Sequence, residues 1–453
     1  MANRRIAFAV VLSFIVAACG VSTGWADEVT YWNQVALEIV KQSATHPPKV
    51  GRDLAIMHSA MYDALNAIEG THYSLFYKPS VTGPASPESA VAAAAHQSLV
   101  NLYLTYEASL SQMLSARLAA IPDGAAKSNG ITLGRSVADN MLALRASDGS
   151  NLSADYPGST APGQWRPTPP GYKSGLAPLW GNVTPFAIPS AEDFRPGPPP
   201  ALNSPQYAAA VEEVRQIGSS NSTTRTPEQT QIADFWSDFS GVTATPAGKW
   251  NLIAQTLAEQ QSNTLAQNAR MFALLDIALA DAGIVCWDTK YTHGLWRPED
   301  AIRLADTDGN PATQADPSWT PYLASPAFPE YMSGHSTFSA AAAEMLALFF
   351  GADQIPFETT AGFDVLPGVT RSYDSLSEAA LEAGLSRIYG GIHFNFSNLA
   401  GWETGQALAD YVFAGSAQVI PVPGSSILVL IGAACLLRCR RARRASPEPM
   451  NTR

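Results

Sequence analysis

The sequence predicts an all-α fold, a large helical bundle. Three observations point there. Apolar residues recur at helical spacing through most of the 453 residues, no run alternates with the period of a strand, and no internal repeat of 20–50 residues is visible. Hydrophobic residues make up 46% and charged residues only 15%, with a mean hydropathy of −0.02, which suits a large buried core rather than a disordered chain.

The elements follow in order. Arg4 and Arg5 precede an apolar run over residues 6–18, and Gly24-Trp25-Ala26 closes it, so residues 1–26 read as a secretory signal peptide. Val16-Ala17-Ala18-Cys19 also has the form of a lipobox, which makes Cys19 an alternative lipidation site. Residues 27–156 form an N-terminal helical region. Within it residues 52–69 place Met57, Met61, Leu65 and Ile68 on one face before Gly70, and residues 88–121 and 125–146 are Ala/Leu-rich and periodic. Residues 157–205 hold 13 of the 33 prolines. No long helix survives that density, and the aromatic content is too high for a linker, so an ordered loop covering part of the surface is expected. Helices resume at 206–218 and 227–239, then over a long stretch, 246–282, stopped by Gly283, and again at 335–350, 376–389 and 397–414. Residues 206–415 are read as the catalytic bundle.

The C-terminal segment, 419–445, carries Pro421-Val422-Pro423-Gly424, a short apolar stretch and five arginines from Arg438 to Arg444. It is too short for an ordinary membrane span, and its arginines suit a positive-inside end. It resembles the bacterial PEP-CTERM sorting tail, with Val422 in the place of the usual Glu. The resemblance implies a tail held in the membrane before processing, and export to the periplasm, the cell envelope or the medium.

The whole chain carries 28 Lys+Arg against 39 Asp+Glu. Without the two arginines before residue 27 and the six arginines and one glutamate after residue 423, 20 basic groups face 38 acidic ones. So acidic a body is not a nucleic-acid binder. Cys286 is the only cysteine between the end segments, which excludes a disulfide framework and a cysteine zinc site in the body. Cys286 itself reads as a packed small hydrophobe. His58, His72 and His96 read as packing or surface residues, and Asp306-Thr307-Asp308-Gly309-Asn310 as a turn rather than a calcium loop.

Three segments carry chemistry. In the first, Lys290 and Arg297 are seven residues apart, within about 20° of each other on a continuous helix. In the second, Ser333-Gly334-His335 opens an apolar helix, with Ser333 as a candidate N-cap and Gly334 allowing close approach to the backbone. A histidine in a first helical turn is disfavoured as a cation unless an anion binds there too. In the third, Arg387 and His393 are out of helical phase, but Gly390-Gly391 can turn the chain so that both converge. Two arginines, a lysine, a hydroxyl, a glycine amide and two imidazoles make an oxyanion cradle. Fixed cations stabilise charge on the equatorial oxygens, one imidazole can bond the central atom, and the other can move protons.

Lys-x6-Arg-Pro, Ser-Gly-His and Ser-Arg-x5-His, in this order, resemble the signature of the vanadium haloperoxidase and type 2 phosphatidic-acid phosphatase superfamily. The segments DAGIVCWDTKYTHGLWRP and RDLAIMHSAMYDALNAIE look specifically like bacterial vanadium-dependent haloperoxidases. The resemblance implies a helical bundle of the vanadium haloperoxidase and acid phosphatase type. It implies vanadate as cofactor, with phosphate as a competing anion, and hydrogen peroxide and halide as substrates. A phosphatase acting on small phosphate esters through phosphohistidine is the alternative. Lys290, Arg297 and Arg387 then match the residues on the equatorial oxygens, with Ser333 and the Gly334 amide as further donors. His393 matches the imidazole bonded to vanadium and His335 the acid–base histidine, with Asp238 as the expected carboxylate behind His335. Phe328 matches an aromatic position near the halide, and His293 is a candidate pocket residue. Two positions depart from the pattern. Met332 replaces the usual Pro before Ser-Gly-His. Ser397 replaces the usual Asp after the last His, so the Ser397 hydroxyl or a backbone carbonyl is expected to take that carboxylate's place beside His393.

Overall fold

A computed structural model describes residues 27–362 and 365–416. The signal peptide, Cys19 and the sorting tail lie outside the described residues. Among those described, no helix is long and apolar enough to cross a membrane.

Five helices come first: α1 (Glu28–Gln42), α2 (Pro47–Glu69), α3 (Pro87–Leu102), α4 (Glu107–Ala119) and α5 (Ala125–Arg145). Their starts follow local chemistry. Asp27 accepts the Val29 and Thr30 amides, Ser86 accepts the Ser89 amide, and Pro47 and Pro87 fill first-turn positions where no N–H is needed. The helix expected over 88–121 is two helices. Tyr103 leaves helical geometry, and its hydroxyl donates to Asp53 on α2 at 2.7 Å.

The second group is α6 (Pro205–Ile217), α7 (Pro227–Phe235), α8 (Thr245–Gln260), α9 (Leu265–His293), α10 (Pro298–Arg303) and α11 (Gly334–Phe350). A short antiparallel hairpin follows, β1 (Phe357–Thr360) with β2 (Thr370–Tyr373), and then α12 (Leu376–Tyr389) and α13 (Asn395–Ser416). The stretch expected as one helix over 246–282 is broken after Gln260, where Thr264 and Gln267 form a reciprocal capping box and start α9. Gly283 does not end a helix. It lies inside α9, where a Cβ would come within 3.2 Å of Pro48 and 3.3 Å of Phe338, so its bare backbone admits α2 on one side and α11 on the other. Gly51 does the same from α2, facing the Leu279 backbone at 3.2 Å. The helix actually ends at Gly294, which is left-handed (φ 59°).

The core is therefore built around α9. Its flanks are α2, α11 and α13, and α13 closes on α11 through Gly401 and Gly405, where any Cβ would meet the Ser333 or Thr337 carbonyl at under 3 Å. That contact fixes the start of α11, where Ser333 and His335 lie.

The Pro-rich segment 157–205 is pinned to α9 and the turn after it. Trp165 is fully buried and its amide donates to the Gly294 carbonyl. The Leu176 carbonyl accepts Trp287 Nε1 (3.1 Å) and the Tyr291 hydroxyl (2.6 Å). Asp281, fully buried on α9, accepts the amides of Phe186, Ala187 and Ile188 at 2.7–3.1 Å. Asp281→Ala leaves two buried N–H groups, those of Phe186 and Ile188, and the half-buried one of Ala187 without a partner, so it is expected to cost about 2–4 kcal/mol in denaturant unfolding and to speed amide exchange at residues 186–188. An unchanged midpoint would show that this carboxylate does not hold the loop.

Candidate functional site

A cavity of about 620 Å³ lies where the Pro-rich loop crosses the helical body. Its floor is formed by Gly334 and His335 at the start of α11, Arg387 in the last turn of α12, His393 just before α13, and Asp238 in the segment after α7. The Gly390-Gly391 turn brings Arg387 and His393 together as anticipated. Gly391 has φ +76°, and a Cβ there would lie 2.2 Å from the Gly218 carbonyl oxygen, so only glycine fits. Lys290 and Arg297 reach the site by different routes, not along one helix. Lys290 lies in the last turn of α9, whereas Arg297 is the N-cap of α10.

Both side chains are fully buried behind the strap of residues 328–333. Lys290 Nζ donates to the carbonyls of Pro329 (3.0 Å), Glu330 (3.0 Å) and Met332 (2.5 Å), which occupies all three of its protons. Lys290 is thus the clamp of the strap, and burial lowers its pKa to about 8. Arg297 donates Nε to the Phe328 carbonyl (2.8 Å) and Nη1 to the Ile392 carbonyl (2.9 Å) and His393 Nε2 (3.2 Å). Arg387 donates Nε to the Ser386 hydroxyl (2.8 Å) and Nη2 to the Ala233 carbonyl (3.1 Å). Arg297 Nη2 and Arg387 Nη1 are buried and have no protein partner. An unpaired buried donor costs about 1–3 kcal/mol, more when charged. Two of them beside a cavity are the signature of a site made for an anion. Burial lowers both guanidinium pKa values to about 10, and both groups stay cationic at neutral pH.

The partner of His393 is Glu330, which no sequence argument singled out. His393 Nδ1 lies 2.8 Å from Glu330 Oε1, and the same oxygen accepts the Phe394 amide at 2.9 Å. Ser397 does not take the role expected of it: its hydroxyl points to the Glu330 carbonyl at 3.5 Å. The carboxylate missing after the last histidine is supplied from the strap instead. Its signal in the sequence was an acidic residue inside the apolar run Phe328–Met332. Because Arg297 donates to Nε2, that nitrogen carries the lone pair, and Nδ1–H donates to Glu330. Burial pushes Glu330 up to about 7, against the pull of Lys290 and Arg297. Burial, then Arg297 and Lys290, hold His393 well below the ordinary histidine range, so its ring is neutral.

His335 donates Nε2–H to the Trp236 carbonyl at 3.0 Å, and its pKa is well below normal, from burial first and Arg387 second. Asp238 shares the cavity, but its carboxylate is not the hydrogen-bond partner of His335 Nε2; its Oδ2 is buried and unpartnered, and burial raises its pKa to about 6. The expected carboxylate contact is replaced by a backbone carbonyl because the chain turns after α7 so that residue 236 reaches His335 first. A second layer fixes that carbonyl. Trp236 Nε1 donates to Glu382 (2.9 Å), which also accepts Arg371 (2.6 Å) and the Tyr373 hydroxyl (2.6 Å) from β2. Ser333 caps α11 by accepting the Ser336 amide (3.4 Å). Phe328 lines the cavity, its ring centre 4.8 Å from Arg297 Cζ and 5.1 Å from Lys290 Nζ. His293 does not line it; its ring packs edge-on against Tyr331 at 5.4 Å. Cys286 is buried and packed, with its pKa raised by desolvation. Residues 306–310 form a turn in which Asp308 accepts the Asn310 amide (2.7 Å). Among the described residues no cluster of His, Cys, Asp and Glu could hold a metal cation.

Comparison with known proteins agrees with this geometry. The family described as the VCPO second helical-bundle domain matches residues 270–421, which span Lys290, Arg297, the strap, Arg387 and His393. The vanadium chloroperoxidase of Curvularia inaequalis is 27% identical over 488 aligned positions, covering 82% of this chain and 79% of that protein. The crystal structure of a bacterial vanadium-dependent iodoperoxidase superposes with a TM-score of 0.77 at 29% identity, over 87% of this chain and 97% of that one. A holo-type bacterial vanadium-dependent chloroperoxidase shares the fold, with a TM-score of 0.67 at 18% identity over 84% and 95% of the two chains. The cradle, the fold and these relatives agree: residues 270–421 match the VCPO second helical-bundle domain, and over most of its length the chain is similar to vanadium-dependent haloperoxidases.

Proposed function

We propose that this chain is a vanadate-dependent haloperoxidase, oxidising halide with hydrogen peroxide. One observation carries the reading: two unpartnered buried guanidinium nitrogens lie beside a neutral imidazole whose Nε2 lone pair is free of a proton. That donor set fits a tetrahedral oxyanion held at one histidine. Bound vanadate supplies an electrophilic centre that activates peroxide without changing its own oxidation state. The protein does the rest. Arg297 and Arg387, both fully buried, offset the negative charge of the oxyanion. Glu330 fixes the tautomer of His393 and raises the basicity of Nε2. His335, neutral and held by the Trp236 carbonyl, is placed to take and return a proton at Nδ1. Phe328 keeps the wall of the site apolar. Export, with residues 1–26 as leader and 419–445 as sorting segment, is part of the same proposal and rests on the sequence alone.

Assay of purified protein with and without orthovanadate tests the activity. Peroxide-dependent bromination that requires vanadate and is suppressed by phosphate is expected. Hydrolysis of phosphate esters without bromination would transfer the site to the phosphatase alternative.

Arg297→Ala and Arg387→Ala are each expected to weaken oxyanion binding by about 2–4 kcal/mol, measured calorimetrically with phosphate. Small, equal effects would mean that the two side chains do not converge on one ligand.

Glu330→Gln keeps an acceptor near His393 but removes the charge, and should weaken orthovanadate binding about tenfold. Glu330→Ala also strands two buried N–H groups and should weaken it about 100-fold. Equilibrium dialysis reads both, and wild-type affinity in both would remove Glu330 from the site.

A further inference from the structure

A second pocket, of about 500 Å³, opens where the end of α2, the start of α9 and the end of α11 meet. It shares no lining residue with the cavity over the cradle. Its cation is Arg270, which is half-buried. Arg270 Cζ lies 5.8 Å from the ring centre of Phe349 and 5.8 Å from that of Phe413. A ring face attracts a guanidinium, but it does not take up the N–H groups as a carboxylate does. Among the described residues no carboxylate pairs with Arg270 and no oxygen accepts its protons. By contrast, Arg52, Arg117, Arg145, Arg195 and Arg371 each pair with a carboxylate. The polar neighbours of Arg270 are already committed. Tyr62 donates its hydroxyl to the Tyr73 carbonyl (3.1 Å), Asn66 holds the His72 carbonyl (2.8 Å) and amide (3.1 Å), and Gln267 Oε1 accepts the Thr264 amide (2.8 Å). Glu69 is the one acid on the lining; it is exposed, and among the described residues it makes no ion pair.

We propose that this pocket binds a small aromatic carboxylate, its carboxylate on Arg270 and its ring against Phe349 and Phe350. The guanidinium fork can hold both oxygens of a carboxylate through parallel hydrogen bonds. The volume exceeds what an inorganic anion fills and lies in the range of sites for small organic molecules. Leu65, Ala266, Phe349 and Phe350 supply apolar wall. Phe349 and Phe350 already meet edge to face, with ring centres 5.1 Å apart, and a third ring extends that arrangement. Burial, and then Arg270, lowers the pKa of His72, so its imidazole is neutral at neutral pH and Arg270 is the only cation on the lining. A neutral guest would leave that charge unpaired, and an organic cation would be repelled by it. No residue of the cradle takes part, so the proposal stands apart from the haloperoxidase reading.

Benzoate is the probe. Calorimetric titration of the purified protein in a phosphate-free buffer should show saturable one-to-one binding. Benzamide keeps the ring without the charge, and acetate keeps the charge without the ring; each should bind about tenfold more weakly or worse. Arg270→Gln should abolish saturable binding. Arg270→Lys keeps the charge but loses the fork, and should weaken binding about tenfold. Titration of phosphate into the same two variants, with the affinity of the wild type expected, shows that their fold and cradle are intact. Arg387→Ala alters the cradle alone and should bind benzoate as the wild type does. Benzoate binding that persists in Arg270→Gln and is lost in Arg387→Ala would place the guest in the cradle and overturn the proposal. No saturable binding by the wild type, or equal affinities for benzoate and acetate, would overturn it as well.

Discussion

The structure turns on buried positive charge that the protein itself leaves partly unpaired. Lys290, Arg297 and Arg387 are fully buried within one small region, and two imidazoles join them. Removing a charge from water costs several kcal/mol even after relaxation. The fold offsets this by making the cations structural. Lys290 holds three carbonyls of the strap, Arg297 holds two more carbonyls, and Arg387 ties α12 to the end of α7. The strap they organise presents Phe328 to the cavity and Glu330 to His393, and delivers the chain into Ser333 and α11. What remains unpaired, Arg297 Nη2 and Arg387 Nη1, is the binding capacity offered to an oxyanion.

The same charges set the protonation of the site. Buried and surrounded by cations, both histidines are neutral at neutral pH. Glu330 and Asp238 offer negative charge only in part, since burial raises them to about 7 and about 6. An anion added to this field relieves the repulsion on every imidazole at once, so anion binding and proton binding are linked. The resting site is thus poised to gain protons when its ligand arrives.

Much of this was legible in the sequence, and the failures have physical causes. Helices announced themselves through apolar period and through end signals such as Ser333 and Gly70, and the cradle through three short motifs. The break at residues 261–264 was hidden because both flanking helices are buried on almost every side, so their periodicity runs on through it; the capping box of Thr264 and Gln267 was the available signal. Gly283 was misread as a stop because a glycine that ends a helix and a glycine that admits two neighbours are the same letter. The hairpin at residues 357–373 has strands of four residues, too short for alternation to show. Glu330 and the Trp236 carbonyl could not be found from spacing at all. The first acts across 63 residues and the second through its backbone. The N-terminal half, which carries none of the three motifs, proved to be part of the site: Ala44, His46 and Pro47 line the cavity together with residues 168–176 of the Pro-rich loop.

The most direct test of this account is the number of protons exchanged when an oxyanion binds. Calorimetric titration of phosphate at pH 7, repeated in buffers of different ionisation enthalpy, measures it without turnover or vanadate. Net proton uptake by the protein–phosphate complex is predicted, reduced in His335→Ala, because the ligand raises the pKa of imidazoles that Arg387, Arg297 and Lys290 hold down. Tight binding with no uptake, or with proton release, would contradict the claim that buried, unpaired positive charge governs the site.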